Sequence, residues 1–391
     1  MTFPDIYNYN RIFSKVKKNL KNFLTFPDLL QFVNISALVK EWRIWYIYYM
    51  KDLWNYLKCE NKPIVLYGMG NGADKVISVC EKYGVKISGV FSSDGFVRSK
   101  TFHGMPVTDY KTAKDTFGEM VVLLCFGTAL PDVIGNIKKI SGECELYAPD
   151  VPVYGDTLFC AEYYEKHIEE FKEIFSLLAD ETSKNTLKSI IDYKLSGRID
   201  YLSCCQMPED EAYSSFLNLT DSETYLDLGA YRGDTVQSFC SVVKDYKEII
   251  AVEPDKKTYL KLCENTKDIK NIRNINAFIS DSQGNATFNS NGSRGTGAKG
   301  KETAVDVISV DSLALKPTFI KMDIEGAEGK AIKGATETIK RYKPKMQIAA
   351  YHKSGDLIDI PKAILSLRND YKVYLRHNPC LPAWDVNYFF V

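Results

Sequence analysis

The chain has 391 residues, 45% of them hydrophobic, with 50 Lys plus Arg balanced by 50 Asp plus Glu. That length favours two domains or more, and a zero net charge argues against nucleic acid as the main partner. The ten cysteines form no C-x-x-C pair and no apolar run reaches about 18 residues, so neither a zinc site nor a transmembrane span is expected.

Taken in order, residues 1–60 read as a helical N-terminal segment. Trp42, Trp45, Tyr46, Tyr49, Leu53 and Tyr56 recur at spacings of three and four, one face of a helix. Packing against the next domain or in a homo-oligomer is the expected use; a membrane-surface helix is the alternative. Met1-Thr2-Phe3-Pro4-Asp5 lacks the basic and apolar regions of a signal peptide, and with reduced thiols this makes a cytoplasmic location the expectation.

Residues 61–155 read as a Rossmann-like domain. Pro63–Tyr67, Val85–Phe91 and Met120–Phe126 are apolar strands, and Gly68-Met69-Gly70-Asn71-Gly72-Ala73 fits G-x-G-x-x-A after the first. Asp94 stands four residues past Val90, inside a loop, so ribose binding is not established. Structural use and live nucleotide binding both stay open. Residues 156–220 form a helical connector, expected to lie across the mouth of the C-terminal domain.

From 221 to 391 strand and helix alternate again. Strands are expected at Thr224–Leu228, Glu248–Val252, Ile272–Ile279, Thr318–Met322, Lys345–Ala350, Tyr371–Leu375 and Val386–Val391, the last antiparallel to a parallel sheet. After the first strand, Gly229 and Gly233 allow a tight turn and close approach to a ligand, and after the second Glu253 can accept both ribose hydroxyls. Asp227 and Asp234 flank the turn. Acids there suit a cationic sulfonium or an amino acid better than a pyrophosphate. The fold class is therefore α/β, with two Rossmann-like doubly wound units.

Four segments at successive strand ends carry a family resemblance. They are Asp227-Leu228-Gly229-Ala230-Tyr231-Arg232-Gly233-Asp234-Thr235, Ala251-Val252-Glu253-Pro254-Asp255, Asn276-Ala277-Phe278-Ile279-Ser280-Asp281 with Gly284, and Ile320-Lys321-Met322-Asp323-Ile324-Glu325-Gly326-Ala327-Glu328. Together they resemble the FkbM-type class I methyltransferases, over roughly half of the chain. The resemblance implies S-adenosylmethionine as cofactor. Asp227, Gly229, Ala230 and Gly233 would lie beneath its methionine part, with Tyr231 and Asp234 at the amino and carboxylate groups. Glu253 would hold the ribose, Ala277 and Phe278 would line the adenine, and Asp323 would sit near the sulfonium. It also implies O-methylation, and because residues 61–155 resemble the Rossmann-like modules of sugar-modifying enzymes, the expected acceptor is a small hydroxylated one such as a sugar or glycoconjugate.

A hydroxyl acceptor benefits from a base or a metal that takes its proton. His352, at the end of the fifth strand, is the candidate base or substrate ligand beside Asp323, or else an orienting residue. Asp323 and His352 alone are too few to predict a metal, so metal dependence stays open. Glu325 and Glu328 read equally as helix-dipole acids and as functional groups. Gly-rich Ser290–Gly300 reads as a loop, with Arg294 and Lys299 available to an acidic acceptor, and Trp384 reads as hairpin packing or an acceptor platform. A nicotinamide-dependent enzyme built on the first unit, or a non-catalytic binding protein, are the competing readings.

Overall fold

The computed structural model describes residues 52–93, 101–289 and 302–391. Most of the aromatic helix, Asp94 and the segment 290–300 lie outside these residues. What is described of the aromatic helix is α1 (Leu53–Lys58), with Trp54 and Tyr56 buried. Asp52 caps it, accepting from the Asn55 amide at 2.9 Å, and its other oxygen accepts from the Ala161 amide at 3.0 Å.

The first α/β unit runs β1 (Ile64–Tyr67), α2 (Asn71–Tyr83), β2 (Ile87–Phe91), β3 (Thr101–Phe102), β4 (Met105–Thr108), α3 (Tyr110–Phe117), β5 (Val121–Leu124), α4 (Pro131–Glu143) and β6 (Glu145–Tyr147). Its sheet order is β3-β4-β2-β1-β5-β6, parallel except for the β3–β4 hairpin. β1 and β5 are buried throughout, as the centre of a sheet covered on both faces requires.

The connector holds α5 (Ala161–Lys166), α6 (Ile168–Leu177) and α7 (Glu181–Ser196). The second unit holds β7 (Thr224–Leu228), α8 (Asp234–Val242), β8 (Glu248–Val252), α9 (Lys256–Asn265), β9 (Ile272–Ile275), β10 (Ala277–Ile279), β11 (Gly284–Asn289), β12 (Glu302–Ile308), β13 (Phe319–Met322), α10 (Glu328–Lys333), α11 (Thr336–Tyr342), β14 (Lys345–Ala349), α12 (Asp356–Leu367), β15 (Val373–His377) and β16 (Val386–Phe390). Its main sheet has the order β15-β16-β14-β13-β7-β8-β9. The last strand inserts antiparallel between β14 and β15. β7 lies where the strand order reverses, so its carboxyl end opens the crevice in which doubly wound sheets bind ligands.

One expectation changes. Ile272–Ile279 is not one strand: the chain breaks at Asn276, whose amide donates to the Glu253 and Pro254 carbonyls at 2.9 Å. The continuation, β10, joins a separate three-stranded sheet ordered β10-β12-β11. The connector reaches the loop after β14 at its start, where the Ser354 hydroxyl donates to the Thr157 carbonyl at 2.7 Å. α7 packs along the edge strand β15, where Arg376 donates to Asp180 at 2.6 Å and the Leu375 amide to Ser183 at 3.0 Å.

Both units share one continuous apolar core, which includes Val65, Val122, Ile190, Leu226, Ile320 and Leu375. Trp384 belongs to this junction: a Cβ on Gly127 would fall 2.1 Å from its ring. No helix among the described residues is long and apolar enough to cross a membrane.

Candidate active site

The turn after β7 is shaped by its neighbours. Gly229 has φ +87°, and a Cβ there would meet the Asp323 carbonyl oxygen at 1.9 Å. A Cβ on Gly233 would meet Thr266 at 2.8 Å. Both glycines are therefore required by contacts within the protein, before any ligand is considered. The amides of Gly229 and Ala230 both donate to the Val252 carbonyl at 3.0 Å, which ties the turn to the end of β8. Ala230 is buried, Tyr231 takes φ +48°, and Asp234 opens α8 from its first position.

Two buried carboxyls flank this turn. Asp227 is fully buried in β7 and accepts from the Thr235 hydroxyl, while its Oδ1 has no hydrogen-bond partner. Burial pushes its pKa up to about 6, against the opposing pull of the Lys321 ammonium. Glu253, one residue past β8, is 8% exposed and accepts from the Tyr231 amide at 3.0 Å and the Asp255 amide at 2.9 Å. Burial raises it to about 7, although those amides favour the charged form. Each Glu253 oxygen keeps lone pairs for a ligand hydroxyl. Ala277 is buried and Phe278 half-buried, just past the break at Asn276.

At the end of β13, Asp323 is partly exposed, with its side chain 30% accessible. The Tyr351 hydroxyl donates to its Oδ1 at 3.1 Å, and the Lys321 ammonium lies 3.7 Å from Oδ2. Burial raises Asp323, but Lys321 and His352 outweigh it and hold the carboxyl below the usual range. The chain then bends through Glu325 at φ +55° and Gly326 at φ +94°. That bend folds further acids back toward Asp323.

His352, which follows β14, is fully buried. Its Nε2 faces Asp323 at 3.4 Å and Glu325 at 3.7 Å, and its Nδ1 faces Glu328 at 3.0 Å. Burial alone would lower the imidazole pKa; Glu328, then Asp323 and Glu325, raise it to about 9. Glu328 is itself buried, with Oε1 accepting from the Ile324 amide at 3.1 Å and the Gly326 amide at 3.3 Å.

Sequence reading paired Asp323 with His352; it did not assemble Glu325, Glu328, Lys321 and Tyr351 around them. It also missed a strap from the end of the first unit. The Tyr154 amide donates to the His352 carbonyl at 2.9 Å, and the Tyr154 ring lies so close to Gly326 that a Cβ there would approach it to 2.8 Å. Lys75 in α2 holds this strap through the carbonyls of Pro152, at 2.9 Å, and Val153, at 2.6 Å.

The earlier glycine turn differs in its chemistry. Cβ atoms on Gly68 and Gly72 would strike Phe126 at 2.6 Å and the Cys125 carbonyl oxygen at 2.1 Å, so these glycines too serve packing. The position one past β2 is Ser92, where the second unit has Glu253. Tyr67 stacks on Phe91 with ring centroids 4.6 Å apart, leaving a cavity of about 160 Å³ lined by Ser92, Ser93 and Lys139 among others. Ligand clefts usually exceed ~300 Å³.

The sheet order, the turn after β7 and the carboxyl after β8 define a methyltransferase-type α/β domain. Residues 227–372 match the family model described as the methyltransferase FkbM domain. No curated protein matches the sequence. Among solved structures, the chain is similar to a methyltransferase FkbM from Methylobacillus flagellatus, at 23% identity and TM-score 0.66, over 88% of this chain and 92% of that one. This likeness of fold takes in most of the chain and not the family domain alone. A precorrin-6y C5,15-methyltransferase from Geobacter metallireducens is similar at 14% identity and TM-score 0.31, covering 46% of this chain and 85% of its own. An Aeropyrum pernix fibrillarin crystallised with bound S-adenosylmethionine shows 11% identity and TM-score 0.31, covering 46% and 73%.

Proposed function

We propose that this methyltransferase uses S-adenosylmethionine and methylates a hydroxyl of a small acceptor, of the sugar or glycoconjugate class. The observation that carries the cofactor reading is the pair of buried carboxyls, Asp227 and Glu253, on either side of the turn after β7. Both are held where water is scarce, and Asp227 Oδ1 lacks a partner. Hydroxyl and ammonium donors on a ligand would supply what these acids lack. Asp227, Gly229, Ala230, Tyr231, Gly233 and Asp234 would hold the amino-acid end, Glu253 the ribose, and Ala277 with Phe278 the base. When bound, the cofactor supplies a methyl group on a sulfonium.

The residues at the end of β13 would then position the acceptor and receive its proton. Asp323 is the accessible acid there, whereas His352 is enclosed behind it and cannot touch an acceptor in this conformation. Asp323 would take the hydroxyl proton, and His352, Tyr351 and Lys321 would orient its carboxylate. Tyr154, 57% exposed over Gly326, offers a face on which a sugar ring could pack.

Isothermal titration with S-adenosylhomocysteine tests the reading. Wild type should bind, and Glu253→Ala and Asp227→Ala should each lose roughly tenfold or more in affinity, the scale of one or two charge-assisted hydrogen bonds. An absence of wild-type binding overturns the proposal. His352→Ala separates positioning from binding: kcat should fall roughly tenfold or more while S-adenosylhomocysteine affinity stays within about threefold.

A further inference from the structure

The space behind Asp323 gathers acids around a single imidazole. Asp323, Glu325 and Glu328 surround the ring of His352, and buried Asp356 adds its charge to Glu328. Lys321 lies against Asp323, and Lys353 is directed to the Gly326 carbonyl. Glu328 is buried, Asp323 partly exposed and Glu325 exposed, with Lys321 beside Asp323. The acid in the enclosed part of the cluster is therefore the one whose charge is costly without a cation.

The geometry has the form of a ligand set. Asp323, Glu328 and His352 each offer a ligand atom within 4.8 Å of the others, and Glu325 faces the same His352 nitrogen as Asp323, with Glu328 on the opposite nitrogen. Nε2 of the fully buried His352 makes no hydrogen bond, and Glu328 Oε2 is also buried without a partner. Adjacent ligands around a cation with bonds of roughly 2.1 Å lie about 3 Å apart. The Nε2 distances of 3.4 Å to Asp323 and 3.7 Å to Glu325 are close to that and leave room for an ion. Glu328 at 3.0 Å from Nδ1 occupies the place from which a carboxylate fixes the tautomer of a metal-bound histidine. A purely structural ion pair would need one acid; this ring has three.

We propose that Asp323, Glu325 and His352 Nε2 bind one divalent cation, with Glu328 orienting the ring through Nδ1. Mixed carboxylate and imidazole donors suit Mn²⁺, Co²⁺ or Zn²⁺. The role of the ion rests on the methyl-transfer reading: at the accessible side of Asp323 it would bind the acceptor hydroxyl and lower its pKa. With the ion in place, the ring is a neutral ligand and Asp323 shares its charge with the metal.

The test is titration of the full-length, chelator-stripped protein with Mn²⁺, followed by loss of the free-ion signal in electron paramagnetic resonance. One Mn²⁺ per chain is expected. Roughly tenfold or weaker binding is expected in His352→Ala and in Asp323→Asn, with a smaller loss in Glu328→Gln. Asp323→Asn alters a partly exposed side chain and keeps the test decisive where His352→Ala does not fold. Absence of binding at millimolar Mn²⁺, or equal binding by wild type and Asp323→Asn, overturns the site. Calorimetry with S-adenosylhomocysteine on the same samples separates the two proposals. Mn²⁺ binding without nucleoside binding refutes the cofactor reading alone, and the reverse refutes the cation site alone.

Discussion

Glu253 is a carboxyl whose ordinary value of 4.5 is raised to about 7 by burial. A raised acid binds its proton more tightly folded than unfolded, so its contribution to stability is greatest below the unfolded value. That contribution declines as pH rises from about 4.5 to about 7. A pKa difference of one between the folded and unfolded chain is worth about 1.4 kcal/mol. Wild-type protein without ligand should therefore lose stability over this window, with Glu253 contributing roughly 1–3 kcal/mol of the loss. In Glu253→Gln the urea-derived stability should fall less between pH 5 and pH 8. Identical slopes for wild type and variant would show that Glu253 does not titrate in this range. A carboxyl that costs stability in the free protein is well placed to gain from hydroxyl donors on a ligand.

At the level of elements, the site is made where two loops at the strand ends meet. The turn at 229–233 and the bend at 323–326 touch through Gly229 and the Asp323 carbonyl, so strain in one moves the other. Gly229→Ala should lower stability by more than about 2 kcal/mol in urea denaturation and remove S-adenosylhomocysteine binding. Gly70→Ala, strained by its φ of +104° but with no neighbour within 4 Å of its Cβ, should lower stability and leave that binding unchanged. The four central strands β7, β8, β13 and β14 were legible as apolar runs ending at acids or turn residues, and the last strand as antiparallel. The break at Asn276 was not. Its cause is a side-chain amide bonded to carbonyls more than twenty residues earlier, a contact no local pattern encodes. Glu325 and Glu328 were visible only as acids near a helix start, because their convergence on His352 depends on two left-handed residues and on a strand from elsewhere in the chain.

Across the whole molecule, the first α/β unit acts on the site by support. Lys75, in the helix that follows its glycine turn, holds the strap that places Tyr154 over Gly326 and beside His352. Removing that ammonium should loosen the acceptor side and spare the cofactor side. Lys75→Met should raise the acceptor KM several-fold while S-adenosylhomocysteine affinity stays within about twofold; equal losses of both would place Lys75 in general stability instead. The sequence suggested two similar glycine turns. Only the packing shows that stacked Tyr67 and Phe91 line a small cavity beside the first turn, whereas two buried carboxyls flank the second.

On the proposed function, the crevice after β7 and β8, and not the turn at Gly68–Ala73, receives the methyl donor. A crystal structure of the full-length protein grown with S-adenosylhomocysteine tests it most directly. Ribose hydroxyls are expected on Glu253, the amino-acid end over the 229–233 turn, and the sulfur facing Asp323. Ligand bound beside Gly68–Ala73, with the second crevice free of it, would place the donor site in the first unit instead.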